Sequence, residues 1–144
     1  MTRTTLMAVA VLTALFALPA QAAPAKPHGS YPLHLNPDPT MEVVGQTGVV
    51  GCLGLIAASI DHHPLVLPTK GKLTVDLVSP DPTNHGVTDW DLYVEDMTGE
   101  VIDGSHSTSS KEQTRTAFKK GQKVQIVVCN VLGMPDATVT YSFK

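Results

Sequence analysis

The chain has no apolar run long enough to cross a membrane. A spanning helix needs about 20 apolar residues, whereas the stretch from Leu6 to about Leu18 stops at Pro19, and that from Gly48 to Ile60 is broken by Gly51 and Gly54. A basic excess is also missing. The 10 Lys and Arg against 13 Asp and Glu give a formal charge of −3, which argues against nucleic acid, a partner held by clustered cations that displace its counterions. Tryptophan occurs once, at Trp90, and cysteine twice, at Cys52 and Cys129. The G-x-S-x-G elbow that exposes a nucleophilic serine is absent, and the chain shows no other constellation of nucleophile, base and orienting group.

What the first residues do contain is Arg3, then the apolar run, then Ala20-Gln21-Ala22. A short positive start, a core of roughly 7–15 apolar residues and an A-x-A site define a secretory signal. We therefore expect residues 1–22 to be removed after Ala22, leaving a chain without a membrane span, more acidic by the loss of Arg3, and secreted or periplasmic. Residues 23–144 suit one domain with a modest core. An even pair of cysteines in an oxidising compartment reads as a disulfide. Closing so long a loop contributes about 4 kcal/mol in the chain-entropy account.

Residues 23–45 form a segment rich in proline, with Pro24, Pro27, Pro32, Pro37 and Pro39. Proline lacks the amide donor, so this segment is neither helix nor central strand; pairing at a sheet edge through Tyr31, Leu33 and Leu35 is its one route into a sheet. Residues 46–144 read differently. Leu73, Val75 and Leu77 alternate with polar neighbours, as do Trp90, Leu92 and Val94, then Val124, Ile126 and Val128, then Val139, Tyr141 and Phe143. Period two is the mark of a strand with one buried face. Turn chemistry at Lys70-Gly71, Thr98-Gly99, Lys120-Gly121 and Gly133 separates these runs. The apolar stretch from Gly48 to Ile60 is ambiguous by periodicity and is read as one or two buried strands. The fold class expected is all-β, a β-sandwich with one disulfide.

The order and spacing of these pieces resemble the bacterial pre-peptidase C-terminal domain, over about Asp61 to Phe143. The residues that carry the resemblance are Leu65-Val66-Leu67-Pro68, Gly71-Lys72-Leu73-Thr74-Val75, Asp89-Trp90-Asp91-Leu92-Tyr93-Val94, the run Gly121 to Val128, and Thr138-Val139-Thr140-Tyr141-Ser142-Phe143. The resemblance implies a jelly-roll-like sandwich, working without catalysis in substrate adhesion, folding assistance or precursor solubility. Some members of that family bind calcium through acidic residues in the segment leading into the domain, where this chain offers Asp38 and Glu42. The Cys52 and Cys129 pair is a departure from the family pattern.

Several residues are candidates for chemistry. From Asp81 to Asp103 the chain carries seven carboxylates and no Lys or Arg, and alternation puts Asp89, Asp91 and Glu95 on one strand face. With Asn84 and loop carbonyls these form a candidate calcium site, since calcium takes six to eight oxygen ligands; a solvated acidic sheet face is the alternative. The histidines (His28, His34, His62, His63, His85, His106) are scattered. Adjacent His62 and His63 point to opposite faces of a strand, and Cys129 with Met134 lacks the histidines of a copper site. Ser105 to Ser110 flank His106 in a polar loop. Lys111, Arg115, Lys119, Lys120 and Lys123 make a basic pole opposite the acidic one, or else protect an edge strand. Trp90 belongs to the core face, and Tyr93, opposite, is the exposed candidate for ligand contact.

The function expected from these residues is a secreted, non-catalytic module, monomeric and without a cofactor, that binds an extracellular protein or glycan. A calcium-binding structural protein of the cell envelope is a second reading, and a small secreted hydrolase built on His106 and a nearby serine is a third.

Overall fold

The computed structural model describes residues 27–37, 39, 52, 55–80 and 88–144. Its strands are β1 (His28–His34), β2 (Ile60–Val66), β3 (Gly71–Val78), β4 (Asp89–Asp96), β5 (Val101–Ser105), β6 (Lys111–Phe118), β7 (Lys123–Leu132) and β8 (Asp136–Phe143). They form two four-stranded antiparallel sheets: sheet I in the order β1-β8-β3-β6, and sheet II in the order β2-β7-β4-β5. The all-β sandwich read from the alternation is the fold observed.

Alternating side chains meet between the sheets. Leu73, Val75 and Leu77 of β3, with Val139 and Phe143 of β8, face Trp90, Leu92 and Val94 of β4 and Val124, Ile126 and Val128 of β7. Trp90 is fully buried, as expected. At about 25 cal/mol per Å2 of apolar surface removed from water, this interleaved layer is the principal force holding the sheets face to face.

The proline-rich segment enters sheet I at its edge. β1 pairs only with β8, with Leu33 turned inward and Pro32 outward, so the missing amide leaves no gap in a central ladder. β2, which holds Pro64, is likewise an edge strand. Leu35 N–H donates to the Pro135 carbonyl at 2.8 Å, and Asn130 Nδ2 donates to the Leu35 and Met134 carbonyls at 2.7 and 3.0 Å. These bonds fix the exit of β1 against the β7–β8 turn.

One expectation requires correction. Within the Gly48–Ile60 stretch, the described part is a 3-10 turn at Ala57–Ser59 that leads into β2 only at Ile60. Leu55 and Ile56 precede that turn as irregular chain, and the remainder of the stretch, apart from Cys52, lies outside the described residues. The polar run from His106 to Ser110 is a loop, as expected, and the basic segment from Lys111 lies on an edge strand, β6, that pairs with β3 along its length. The signal segment lies outside the described residues, among which no helix is long and apolar enough to cross a membrane.

Candidate functional site

The two outer faces of the sandwich differ. That of sheet II is covered where β4 and β7 run side by side. Cys52 is bonded to Cys129, their Cα atoms 5.8 Å apart, and with Leu55 and Ile60 it packs over Tyr93, Val127 and Val131. The expected disulfide is therefore present, and it clamps a covering segment onto a central strand.

Tyr93 is consequently not the exposed residue it was expected to be, since only 3% of it reaches solvent. Alternation assigns it correctly to the outer face, but a second layer lies on top. Its β5 partner is Gly104, where a Cβ would stand 2.6 Å from the Tyr93 ring; glycine lets the ring lie flat on the edge strand. The His106 ring stacks on Tyr93, with centroids 6.3 Å apart.

Beside it, Asp89 and Asp91 are buried. Tyr93 Oη donates to Asp91 Oδ2 at 3.3 Å. Burial lifts the Asp91 carboxyl from its usual range to about 6, and the neighbouring Asp89 charge adds to the rise; the Tyr93 bond and His106 oppose it, and Glu112 adds to it last. Glu95, the third expected calcium ligand, accepts from Gln125 Nε2 at 3.0 Å. Among the described residues no group of three His, Cys, Asp or Glu stands close enough to hold a metal ion, so Asp89, Asp91 and Glu95 are not gathered into a site. Asp38, Glu42, Asp81, Asn84 and His85 lie outside the described residues.

Other acidic residues are engaged within the domain. Asp96 shapes the β4–β5 turn by accepting from the Thr98 hydroxyl at 2.6 Å, Glu100 N–H at 3.0 Å and Thr98 N–H at 2.7 Å, contacts that hold its carboxyl below the usual range. Asp103 of β5 accepts from Arg115 N–H at 3.2 Å and from the Thr116 hydroxyl. Buried Glu112 of β6 accepts from the Ser105 and Ser107 hydroxyls. These bonds join the edges of the two sheets. They also direct the serines flanking His106 to a carboxylate rather than to the imidazole. Nothing in the local sequence marks Glu112 as buried, because a Glu among Lys, Gln and Thr reads as surface.

The opposite edge is closed by aromatic packing. Tyr31 of β1 stacks on His63 of β2 with centroids 4.6 Å apart, and Tyr141 of β8 meets both rings. His63 Nε2 lies 3.3 Å from Tyr141 Oη, and Tyr31 Oη donates weakly to Asp61 at 3.5 Å. Burial and the Asp61 charge push the Tyr31 phenol well above its usual range.

The outer face of sheet I, by contrast, is bare among the described residues. Cross-strand partners share a face, and the register sets out rows of side chains. One row runs His28, Ser142, Thr74, Arg115, and the next Ser30, Thr140, Asp76, Gln113; Pro32, Thr138, Val78 and Lys111 follow, then His34 and Asp136. Beyond the first row Lys72 and Lys144 exchange both backbone hydrogen bonds, at 2.8 and 3.0 Å, which places their side chains together. Lys72, Lys111, Arg115, Lys144 and Thr138 are exposed. The Ser30 and Thr140 hydroxyls lie 3.1 Å apart, Gln113 donates to Asp76, and His34 pairs with Asp136 at 2.7 Å. None of Lys72, Lys111, Arg115 and Lys144 lies within salt-bridge distance of a carboxylate among the described residues.

No family model and no curated protein matches the chain. Solved structures do match. A periplasmic inhibitor of g-type lysozyme from Aeromonas hydrophila is 13% identical, with 83% of this chain and 85% of that one covered and a TM-score of 0.45. The pre-peptidase C-terminal domain of a Bacillus anthracis collagenase is 15% identical, with 81% and 89% covered and a TM-score of 0.45. A fucose-binding module from Streptococcus pneumoniae is 16% identical, with 83% and 92% covered and a TM-score of 0.30. The second of these bears the name of the family that the strand order resembles.

Proposed function

We propose that the chain is a secreted, non-catalytic binding module whose ligand, an extracellular protein or glycan, lies on the outer face of sheet I. The observation that carries this reading is the asymmetry of the sandwich. Sheet II is overlaid by the disulfide-clamped segment, whereas sheet I presents a four-stranded surface of polar side chains on a rigid, well-packed layer. A preformed face of this kind binds without the cost of ordering its backbone. The disulfide supports a location outside the cytoplasm, where such bonds persist. The absence of catalysis is supported by the engagement of Ser105 and Ser107 with Glu112, which leaves His106 stacked on Tyr93 rather than paired with a nucleophile.

The test is retention of the purified chain on arrays of envelope glycans and secreted proteins, followed by assay of the retained material for bond cleavage. Saturable retention without cleavage products is the expected result. Release of sugar or peptide fragments, or retention on nothing, removes the reading.

A further inference from the structure

The outer face of sheet I carries more positive charge than its surroundings in an otherwise acidic chain. Lys72, Lys111, Arg115 and Lys144 lie on it, against Asp76 and Asp136, and both acids already have partners in Gln113 and His34. Lys72 and Lys144 are directly opposed across the β3–β8 ladder, an arrangement of like charges that weakens a sheet in isolation. An anion laid across the face relieves that repulsion.

The rest of the face decides which anion. Between the cations stand the hydroxyls of Thr74, Thr138 and Thr140 and the carboxylate of Asp76, about 6.8 Å apart along a strand and about 4.8 Å across strands. Asp76 only accepts hydrogen bonds when ionised, so it suits a ligand whose anionic groups are interspersed with hydroxyl donors rather than one that is charged along its whole backbone. The face has little apolar surface, Val78 and Pro32 being its main contributors, and it lacks the buried aromatic anchor that centres most protein interfaces. We infer that the outer face of sheet I binds a carboxylate-bearing polysaccharide, whose acid groups meet Lys72, Lys111 and Arg115 and whose hydroxyls meet Thr138, Thr140 and Asp76. This rests on the binding-module reading and names its ligand class.

The experiment titrates the full chain with polygalacturonate, with the same polymer fully methyl-esterified, and with duplex DNA, and follows binding by calorimetry at low and moderate salt. Polygalacturonate is expected to bind at least about tenfold more tightly than the neutral ester or the DNA, and to weaken by about tenfold or more between roughly 50 and 200 mM salt. The K72Q/K111Q/R115Q variant is expected to lose about tenfold or more in affinity, and K119Q/K120Q in the β6–β7 turn to change by less than about twofold. Melting curves establish that each variant is folded; the salt and ester comparisons need no variant. Equal binding of the ester, equal or tighter binding of DNA, or an unaffected triple variant each overturns the assignment while the broader reading survives on any ligand retained by the arrays. Failure to bind polygalacturonate also overturns it, and empty arrays in addition remove both.

Discussion

Tyr93 on β4 and Gly104 on β5 face each other across sheet II, and the ring occupies the space where any other residue would carry its Cβ. The pair explains how a bulky aromatic on an outer face becomes buried. Replacing Gly104 by Ala puts a methyl group 2.6 Å from the ring, and overpacking of this sort costs about 1–3 kcal/mol. We expect a lower denaturation midpoint and an altered near-ultraviolet tyrosine signal; an unchanged midpoint would show that the ring does not lie where it is placed.

Asp91 makes stability depend on pH. Its folded-state value of about 6 lies above the ordinary 3.8, so between those limits the native chain holds a proton that the unfolded chain releases. Stability is therefore fully present below about 4 and declines as pH rises through about 6. The contribution is about 1–2 kcal/mol once solvent screening is allowed for. Asp91→Asn should flatten this part of the profile and raise the melting temperature at neutral pH. A profile identical to the parent's would rule out Asp91 as the titrating group.

Reduction of the Cys52–Cys129 bridge releases a loop of 77 residues. The chain-entropy relation gives a loss of about 4 kcal/mol, a large part of the stability of a domain of this size. Urea unfolding with and without a reductant measures it directly; coincident curves would contradict a role for the bridge in stability.

At the other edge, Tyr31→Ala removes the ring stacked on His63. An aromatic pair contributes about 0.5–1.5 kcal/mol beyond its buried area, so a clear fall in stability is expected. In the parent chain, absorbance at alkaline pH should show the Tyr31 phenol resisting ionisation while the fold persists, because its proton is held above the usual range. By linkage, stability falls as pH rises past about 10, where the unfolded phenol ionises and the folded one does not. Ordinary ionisation of every tyrosine in folded protein would refute the burial of that hydroxyl.

Much of the sandwich was legible in the sequence, and the gaps have physical causes. β3, β4, β7 and β8 contrast apolar with polar positions, and those contrasts survive in the burial of Leu73, Trp90, Val124 and Val139. β6 does not until its last residue, because Glu112, Thr114 and Thr116 precede Phe118 on its inward side and Lys111, Gln113, Arg115 and Ala117 point outward. A strand whose inward positions are mostly polar, with Glu112 and Thr116 held by hydroxyl–carboxylate bonds, shows no hydropathy period. β5 is short, and both Val101 and Ile102 are exposed on the edge. Alternation separated Trp90 from Tyr93 by face, yet it carries no information about a second layer, so the burial of Tyr93 was invisible. The row of cations on sheet I was equally hidden, since Lys72, Arg115 and Lys144 become neighbours only through pairing between strands distant in sequence.

β1 and β8 are neighbours in sheet I, with His28 opposite Ser142. The earliest of the described strands thus waits for the latest before its hydrogen bonds have a partner, and the ladder it edges cannot be completed on a half-delivered chain. Such ordering slows closure, as pairings of great sequence separation do. It also leaves the start of β1 and the end of β8 a single strand spacing apart, so the described sandwich can be set into a surface loop of another protein without pulling its own edge apart.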